Sequence, residues 1–448
     1  MADHAPAVVP KVSTATQVVR RERGARPVVH EADLCVVGAG IAGVAAAVEA
    51  ARAGRRVLLV DSLPVLGGQA VNSIVGTICG MYSNGENGRQ LTYGIAESIV
   101  RDMVPQGTAY YRAGLVNNIL IYNDVALGRW IEEAVRAAGV TVLLGAVLRE
   151  VETEGRRVTR LHLSTRYGDV TAEAAGYVDA TGDAALVWQA GFACREPADG
   201  PVYGTQMVVL ENIDEAKVPS REALPARMRE KAGDYGLVRR EGLSFVIPGS
   251  GVAMMNMTHI ETPLEPFAAS AVTLEGRDQA DRAVRFLREQ FPEAFGKARV
   301  RAYGFPGIRQ TRWIKGRQQL TVEDVCRGTH FPDAILRTAW PIELHDAGDE
   351  HKWNPFGPDH LHTVPFGSLV PEDGDNVVAA GRCIDADNAA LSSVRVMGPC
   401  IAMGMAAAHA LDLAGSGSVH QIDIGALQGR ISDNLHRNDE ARLTALRH

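Results

Sequence analysis

Residues 33–61 read DLCVVGAGIAGVAAAVEAARAGRRVLLVD. Gly38, Gly40 and Gly43 form a G-x-G-x-x-G, a weak signal alone and a strong one in context. The context is present. LCVV is a continuous apolar run, as a strand buried on both faces requires. IAGVAAAVEAARAG has helical composition and stops at Gly54, a position suited to a helix-ending glycine. RVLLV then reads as a second buried strand closed by Asp61. Each part has a physical task. Gly38 permits the tight turn, Gly40 lets backbone approach a pyrophosphate, and Gly43 lets helix and strand touch. Ile41 and Ala42 open the helix, whose free N–H groups and partial positive charge suit phosphate. Asp61, eighteen residues past Gly43, is placed to accept ribose hydroxyls. The stretch predicts a strand–helix–strand nucleotide site in an α/β fold.

The next residues bear on which nucleotide. SLPVLGGQAVNSIVGTICGMY follows Asp61 at once, with Ser62, the pair Gly67–Gly68 and Gln69. A nicotinamide dehydrogenase usually proceeds to another strand here. A glycine-rich crossing loop suits a longer, extended cofactor. From Gly145 to Gly191 the chain alternates like short antiparallel strands, VLREVE, RVTRLHLS and DVTAEAAGYVDATGD. Together these stretches resemble FAD proteins of the glutathione-reductase-like and fumarate-reductase-like type, with a Rossmann-like parallel sheet carrying a three-stranded β-meander.

Four later stretches sharpen the resemblance: GIRQTRWIKGRQQLTVEDV (307–325), PIELHD (341–346), VPFGSLVPEDGDNVVAAGRCID (364–385) and ALSSVRVMGPCIAMGMAAA (390–408). In this order they are similar to the bacterial FAD-dependent oxidoreductase family, relatives of the fumarate reductase and succinate dehydrogenase flavoproteins. Many members carry Glu where this chain has Asp61. The resemblance implies that Val147 offers backbone to the adenine and that Ala180, Thr181 and Gly182 match the family's ATG strand end. It also implies that the late strand and helix return to the flavin. Gly381 would give close approach, Asp385 would accept from a ribitol hydroxyl, and Val394 and Gly398 would border the ring. Gly398 reads as a helix cap with Pro399 first in the helix, and Asp183 as the cap of AALVWQAG. A plain core helix is the alternative for residues 398–415.

This organisation predicts a flexible tail (1–30), a discontinuous FAD domain (31–194 and 365–415), an inserted α+β substrate domain (195–364) and a C-terminal helical extension (416–448). Candidate catalytic residues are His259, as a base near neutral pH, and Arg309, Arg312 and Arg395, as clamps for an anionic group. A structural histidine and a solvated basic face are the rivals. Tyr203 is a weaker candidate. Cys79 could approach the flavin or simply be buried. Residues 345–362 hold four histidines, but Pro and Gly break any metal spacing, so a solvated or substrate-lining loop is expected and no metal.

The expected activity is that of a dehydrogenase or oxidase moving hydride from a small organic substrate to flavin N5. Reduction of an activated alkene is the reverse alternative. An NAD-dependent dehydrogenase, a non-catalytic flavoprotein and an RNA-modifying flavoprotein are the other rivals. No second G-x-G-x-x-G sits in a strand–helix context, so oxygen, a quinone or a redox protein is the expected electron acceptor.

Bulk properties agree. The 448 residues exceed one compact core. A net charge of −7, without basic stripes among aromatics, argues against nucleic acid. Six cysteines without a C-x-x-C suggest reduced thiols and a cytoplasmic setting. The basic RRERGAR (20–26) precedes no apolar signal core, no membrane span is expected, and a homodimer is conceivable.

Overall fold

The computed structural model describes residues 16–20, 26–86, 88–113, 117–198, 200, 202–349 and 351–439. Most of the expected tail, 1–15 and 21–25, and the last part of the C-terminal extension, 440–448, lie outside the described residues.

The central sheet has seven strands. Thr141–Leu144, Val57–Asp61, Val28–Val37 and Gly168–Asp179 run parallel in that order. Arg157–Thr165 and Val147–Glu154 continue it antiparallel as the meander. The long strand Gly168–Asp179 changes partner along its length. Its first half pairs with the meander, and its last three residues pair in parallel with Val377–Ala379. Burial follows topology. Val57–Val60 are all buried, as in a strand covered on both faces, whereas Arg157–Thr165 alternates. The result is a mixed α/β fold around a parallel-containing sheet.

Two helices cover one face. Ile41–Arg52 follows the glycine motif, and Met397–Ala414 packs along it. A Cβ on Gly404 would overlap the Ala42 carbonyl oxygen, and one on Gly43 would overlap the Gly38 carbonyl oxygen. Backbone contact is thus the packing surface. Met397–Ala414 is 18 residues long with a mean hydropathy of 1.2, the one helix among the described residues that meets the length and composition of a membrane span. Its window is 78% buried inside the protein, where it forms core.

A second, antiparallel sheet orders Leu243–Ile247, Val252–Asn256, Val208–Glu211 and Arg299–Tyr303. Its strands divide their side chains by parity. Val208, Leu210, Ala253 and Met255 join a core under the helix Pro266–Gln290. Met207, Val209, Val252 and Met254 turn the other way and meet Ile74, Ile119, Ile121 and Trp340. Ile119 and Ile121 come from a small sheet, Thr77–Ile78, Ile119–Tyr122 and Ala109–Arg112, drawn from the segment assigned by sequence to the FAD domain, whose Ile78, Leu120 and Tyr122 join the main core. Conversely Ile314, Leu320, Ile335, Leu336 and Val364 belong to the main core. Packing thus crosses the expected boundaries at 195 and 364. Beyond Gly415, the helices Ile424–Arg430 and Ser432–His436 lie on the surface of the main core.

Candidate active site

A cleft of about 920 Å³ runs from the glycine motif to the second sheet. Its nucleotide end is built of backbone. Gly38 adopts φ 102° and donates its N–H to Val60 O at 2.8 Å. Gly40 precedes the motif helix, which has no side-chain cap, so its first N–H groups are left for a ligand. A Cβ on Gly40 would meet nothing within 4 Å. The missing side chain leaves open cleft rather than relieving a clash. The crossing loop lies directly on this turn. Gly67 N–H donates to Ala39 O at 2.9 Å, and a Cβ on Gly68 would stand 2.6 Å from Gly40 Cα.

Asp61 is fixed by its neighbours. Ala39 N–H donates to Oδ2 at 2.6 Å and Leu63 N–H to Oδ1 at 2.8 Å. Each oxygen keeps a lone pair for a ribose hydroxyl. Gly38, Gly40, Ile41, Ala42, Asp61, Ser62, Gly68, Gln69, Val147, Ala180, Thr181, Gly182 and Gly381 all line the cleft. Uncapped helix, open Gly40 and hydroxyl-accepting Asp61 are a donor and acceptor set that fits an adenine dinucleotide.

Other expected cofactor residues lie behind the wall. Gly43 and Gly67 serve packing and turning. Gly398 is not the helix cap, a place taken by Val396, and its N–H donates to Cys79 O at 2.9 Å. Pro399 is accordingly third, not first, in the helix. Val394 is buried at the end of the helix Asn388–Val394. Asp385 is fully buried and engaged elsewhere: Arg195 Nε donates to it at 3.0 Å and Gly316 N–H at 2.8 Å. Burial pushes its carboxyl up, while those donors pull it back. It therefore does not face a ribitol chain. Asp183 does not cap the helix Ala185–Gln189. Buried Asp179 does so, accepting from Leu186 and Val187 N–H at 3.0 Å each, and Asp183 instead accepts from the Thr311 hydroxyl.

At the far end the wall includes Thr77, Cys79, Arg112, Asn117, Phe245, Arg309, Trp340, Glu343, His351, Trp353 and Arg395. Two of the four catalytic candidates are here. Arg309 Nη1 donates to Tyr203 O at 2.8 Å, and Arg395 Nη2 to Glu343 O at 3.2 Å. Among the described residues neither has an ion-pair partner within 4 Å. Burial, followed by repulsion from Arg395, pulls the Arg309 pKa well down; burial also lowers Arg395.

The other two are elsewhere. Arg312 binds Glu196 Oε1 (2.7 Å from Nη2) and lies over the Trp188 ring. His259 is 1% exposed and outside the wall. Its Nδ1 contacts Gly348 O at 2.8 Å and its Nε2 contacts His345 Nδ1 at 2.9 Å. Burial, with Arg239 and Arg309 beside it, lowers its pKa to about 2. An imidazole so weakly basic does not take a proton at neutral pH. Tyr203 stacks on His259 behind the wall. Cys79 does line the cleft, with its thiol pushed up to about 12, chiefly by burial and then by Glu343.

Glu343, His351 and Trp353 were missed. They share a β-hairpin, Ile342–Leu344 against Lys352–Asn354, with Glu343 opposite Trp353. His351 Nδ1 contacts Glu241 Oε1. Burial opposes ionisation of Glu241, but His351 and Arg239 hold its carboxyl down at about 2. The signal was in PIELHD: Glu343, in the strand Ile342–Leu344, and His345, just past its end, stand at i and i+2, a spacing that keeps side chains on one side of extended chain.

Comparison with known proteins places the chain in a family. No curated protein sequence matches the chain. Among solved structures, a geranylgeranyl bacteriochlorophyll reductase-like protein from Thermoplasma acidophilum is 15% identical. That overlap covers 90% of this chain and 82% of the other, with a TM-score of 0.49. The p-nitrophenol 4-monooxygenase from Pseudomonas putida is 11% identical over 91% and 85%, with a TM-score of 0.46. The flavin-dependent brominase Bmp2 is 13% identical over 90% and 83%, also with a TM-score of 0.46. Overlaps this loose say nothing about substrate. The sequence profile described as FAD dependent oxidoreductase matches residues 33–431, nearly all of the chain that carries the sheet, the cleft and the returning helix. This protein belongs to the FAD-dependent oxidoreductase family and is a flavoenzyme.

Proposed function

We propose that the protein acts as a dehydrogenase or oxidase on a small organic substrate bearing an anionic group, held at the far end of the cleft. The observation that carries this reading is the pair Arg309 and Arg395. Both are built into the cleft wall, and both spend their visible hydrogen bonds on backbone carbonyls. A guanidinium cannot shed its charge, and a buried one without a counter-ion is costly. A carboxylate-bearing substrate would provide that counter-ion.

FAD, when bound, supplies the hydride acceptor. The chain does the rest. Gly38, Gly40, the motif helix and Asp61 would hold the dinucleotide portion. Gly381, Met397 and Cys400 would border the redox ring. Arg309 and Arg395 would fix the substrate's anionic end, while Trp340, Trp353 and Phe245 form apolar wall that limits water. The second electron partner is proposed to be oxygen, a quinone or a redox protein.

The test is anaerobic bleaching of the oxidised flavin band against hydroxy acids, amines, alcohols and enones. The double variant R309A/R395A should stay yellow yet lose kcat/KM by on the order of 10²-fold or more, the effect of stripping partners from a buried ion. A double variant with wild-type kcat/KM would remove the anion-clamp reading.

A further inference from the structure

A run of three contacts behind the cleft fixes a proton count. Gly348 O meets His259 Nδ1 at 2.8 Å, His259 Nε2 meets His345 Nδ1 at 2.9 Å, and His345 Nε2 meets Glu343 Oε1 at 3.3 Å. A carbonyl oxygen only accepts, so His259 Nδ1 carries a proton. The imidazole–imidazole contact needs a second proton. The last contact needs a third, because an imidazole lone pair facing a carboxylate lone pair at 3.3 Å is repulsive. Two neutral imidazoles hold two protons between them. The run therefore holds one proton more than two neutral histidines and an ionised glutamate would have.

We propose that this extra proton sits on Glu343 and that Glu343 exchanges it with the substrate, His345 and His259 acting as positioning residues that hold it. The inference rests on the hydride-transfer reading of the cleft given above. Glu343 is the member of the run that lines the cleft, with 23% of its side chain exposed. His345 is fully buried and His259 nearly so. Burial is the main cause that keeps His259 and His345 from becoming imidazolium, with Arg239 and Arg309 adding to it. Glu343 also lies beside the anion clamp, since its own carbonyl oxygen receives Arg395.

The charged and titratable groups around Glu343 act in both directions. Arg309, Arg395 and Arg239 come from three separate stretches of the chain and place positive charge near it. Cys79 faces it as a neutral thiol. His345 holds the protonated form, and His351 stacks on His345 at 5.1 Å between ring centroids. As found, the run is full, the state that gives a proton to substrate. Emptied, with Glu343 ionised and the 3.3 Å contact opened, it is the state that takes one. In the oxidising direction a substrate O–H, N–H or C–H bond breaks and an O–H bond forms on Glu343. The adjacent C–H leaves with both its electrons to the flavin, so charge balances. In the reducing direction the same bonds are exchanged in reverse.

The test begins on the FAD-loaded, substrate-free protein near neutral pH. Infrared spectra in water and heavy water should contain a protonated-carboxyl C=O band that shifts on deuteration. E343Q should delete it, because glutamine still donates to His345 Nε2 but is no acid. H345F, which keeps a ring without an acceptor nitrogen, should delete it by letting Glu343 ionise. Nitrogen-15 spectra should show His259 and His345 as neutral Nδ1–H tautomers. With the substrate that bleaches the wild type, E343Q should reduce its flavin roughly 10²- to 10⁴-fold more slowly, the usual worth of a positioned acid–base group. A missing band, a band that persists in E343Q or H345F, or an imidazolium at His345 overturns the proton assignment. An unchanged rate in E343Q overturns the exchange role and leaves the arginine clamp standing. That clamp is judged separately by R309A/R395A.

Discussion

Glycines with the same name in one motif have opposite jobs, and single methyl groups separate them. Gly40 has an extended backbone, φ −68° and ψ 178°, which any residue adopts, and open space where its Cβ would stand. Gly40→Ala should therefore fold with an unchanged melting temperature but bind FAD at least about tenfold more weakly, because the methyl occupies cleft. Gly43→Ala would place its Cβ into the Gly38 carbonyl. It should cost about 1–3 kcal/mol of stability through overpacking, with cofactor loss as a consequence. Thermal melts of apoprotein beside FAD titrations by fluorescence distinguish the two; a G40A protein that binds FAD normally would show that the cofactor does not cross Gly40. Asp385 is the complementary case. Its resemblance to a ribitol-binding aspartate is positional, but Arg195, 190 residues away, claims it. D385N leaves the Arg195 and Gly316 donors facing an amide and should lose about 1–3 kcal/mol, less than a fully buried ion pair because the Arg195 side chain is 36% exposed and solvent screens it. Urea unfolding of the apoprotein measures this. A D385N that keeps its stability and instead loses FAD would restore the cofactor role.

At the scale of elements, the contact between Ile41–Arg52 and Met397–Ala414 couples the two ends of the cofactor site. Gly404 sits where the helices touch, its absent Cβ leaving room for the Ala42 carbonyl. Gly404→Ala should push the helices apart, lowering stability by about 1–3 kcal/mol and weakening FAD binding together. Far-ultraviolet melts and FAD titration of G404A check the pair, and an intact affinity at reduced stability would uncouple them. This contact also marks what the sequence discloses. The nucleotide end was readable because short-range spacing dictates backbone there: a glycine every two or three residues between a continuous apolar strand and an alanine-rich helix leaves few conformations. The meander was readable from alternation of period two. The catalytic end depends on partners far apart in sequence. Arg309 and Arg312 look equivalent as text, yet an odd spacing in a non-helical stretch turns them to different sides. One reaches the cleft and the other reaches Glu196. His259 reads as a base until His345, 86 residues later, and Gly348 enclose it.

Over the whole molecule, enclosure of neutral imidazoles makes stability depend on pH with a definite sign. His259, His345 and His362 are 1%, 0% and 0% exposed. Burial lowers His259 to about 2, His362 to about 3, and His345 well below 6.5. In the unfolded chain each titrates near 6.5. Below that pH the unfolded state binds protons that the folded state refuses, so stability is complete above 6.5 and declines as pH falls. Between pH 7.5 and 5.5 each histidine should withdraw about 1.4 kcal/mol, roughly 4 kcal/mol for the three. Buried Asp179 and Asp385, whose carboxyls are pushed up chiefly by burial, act in the opposite sense. Comparing a variant with the wild type cancels them. His362 is the one to remove, since it contacts Ser393 Oγ and His360 rather than the cleft. H362Q should reduce the fall in unfolding free energy between pH 7.5 and 5.5 by about 1.4 kcal/mol, whatever it does to the absolute value. Urea unfolding of wild type and H362Q at the two pH values gives the four numbers needed. Equal slopes in the two proteins would mean that water or a proton reaches His362 in the folded state, and the acid sensitivity would have to come from elsewhere in the fold.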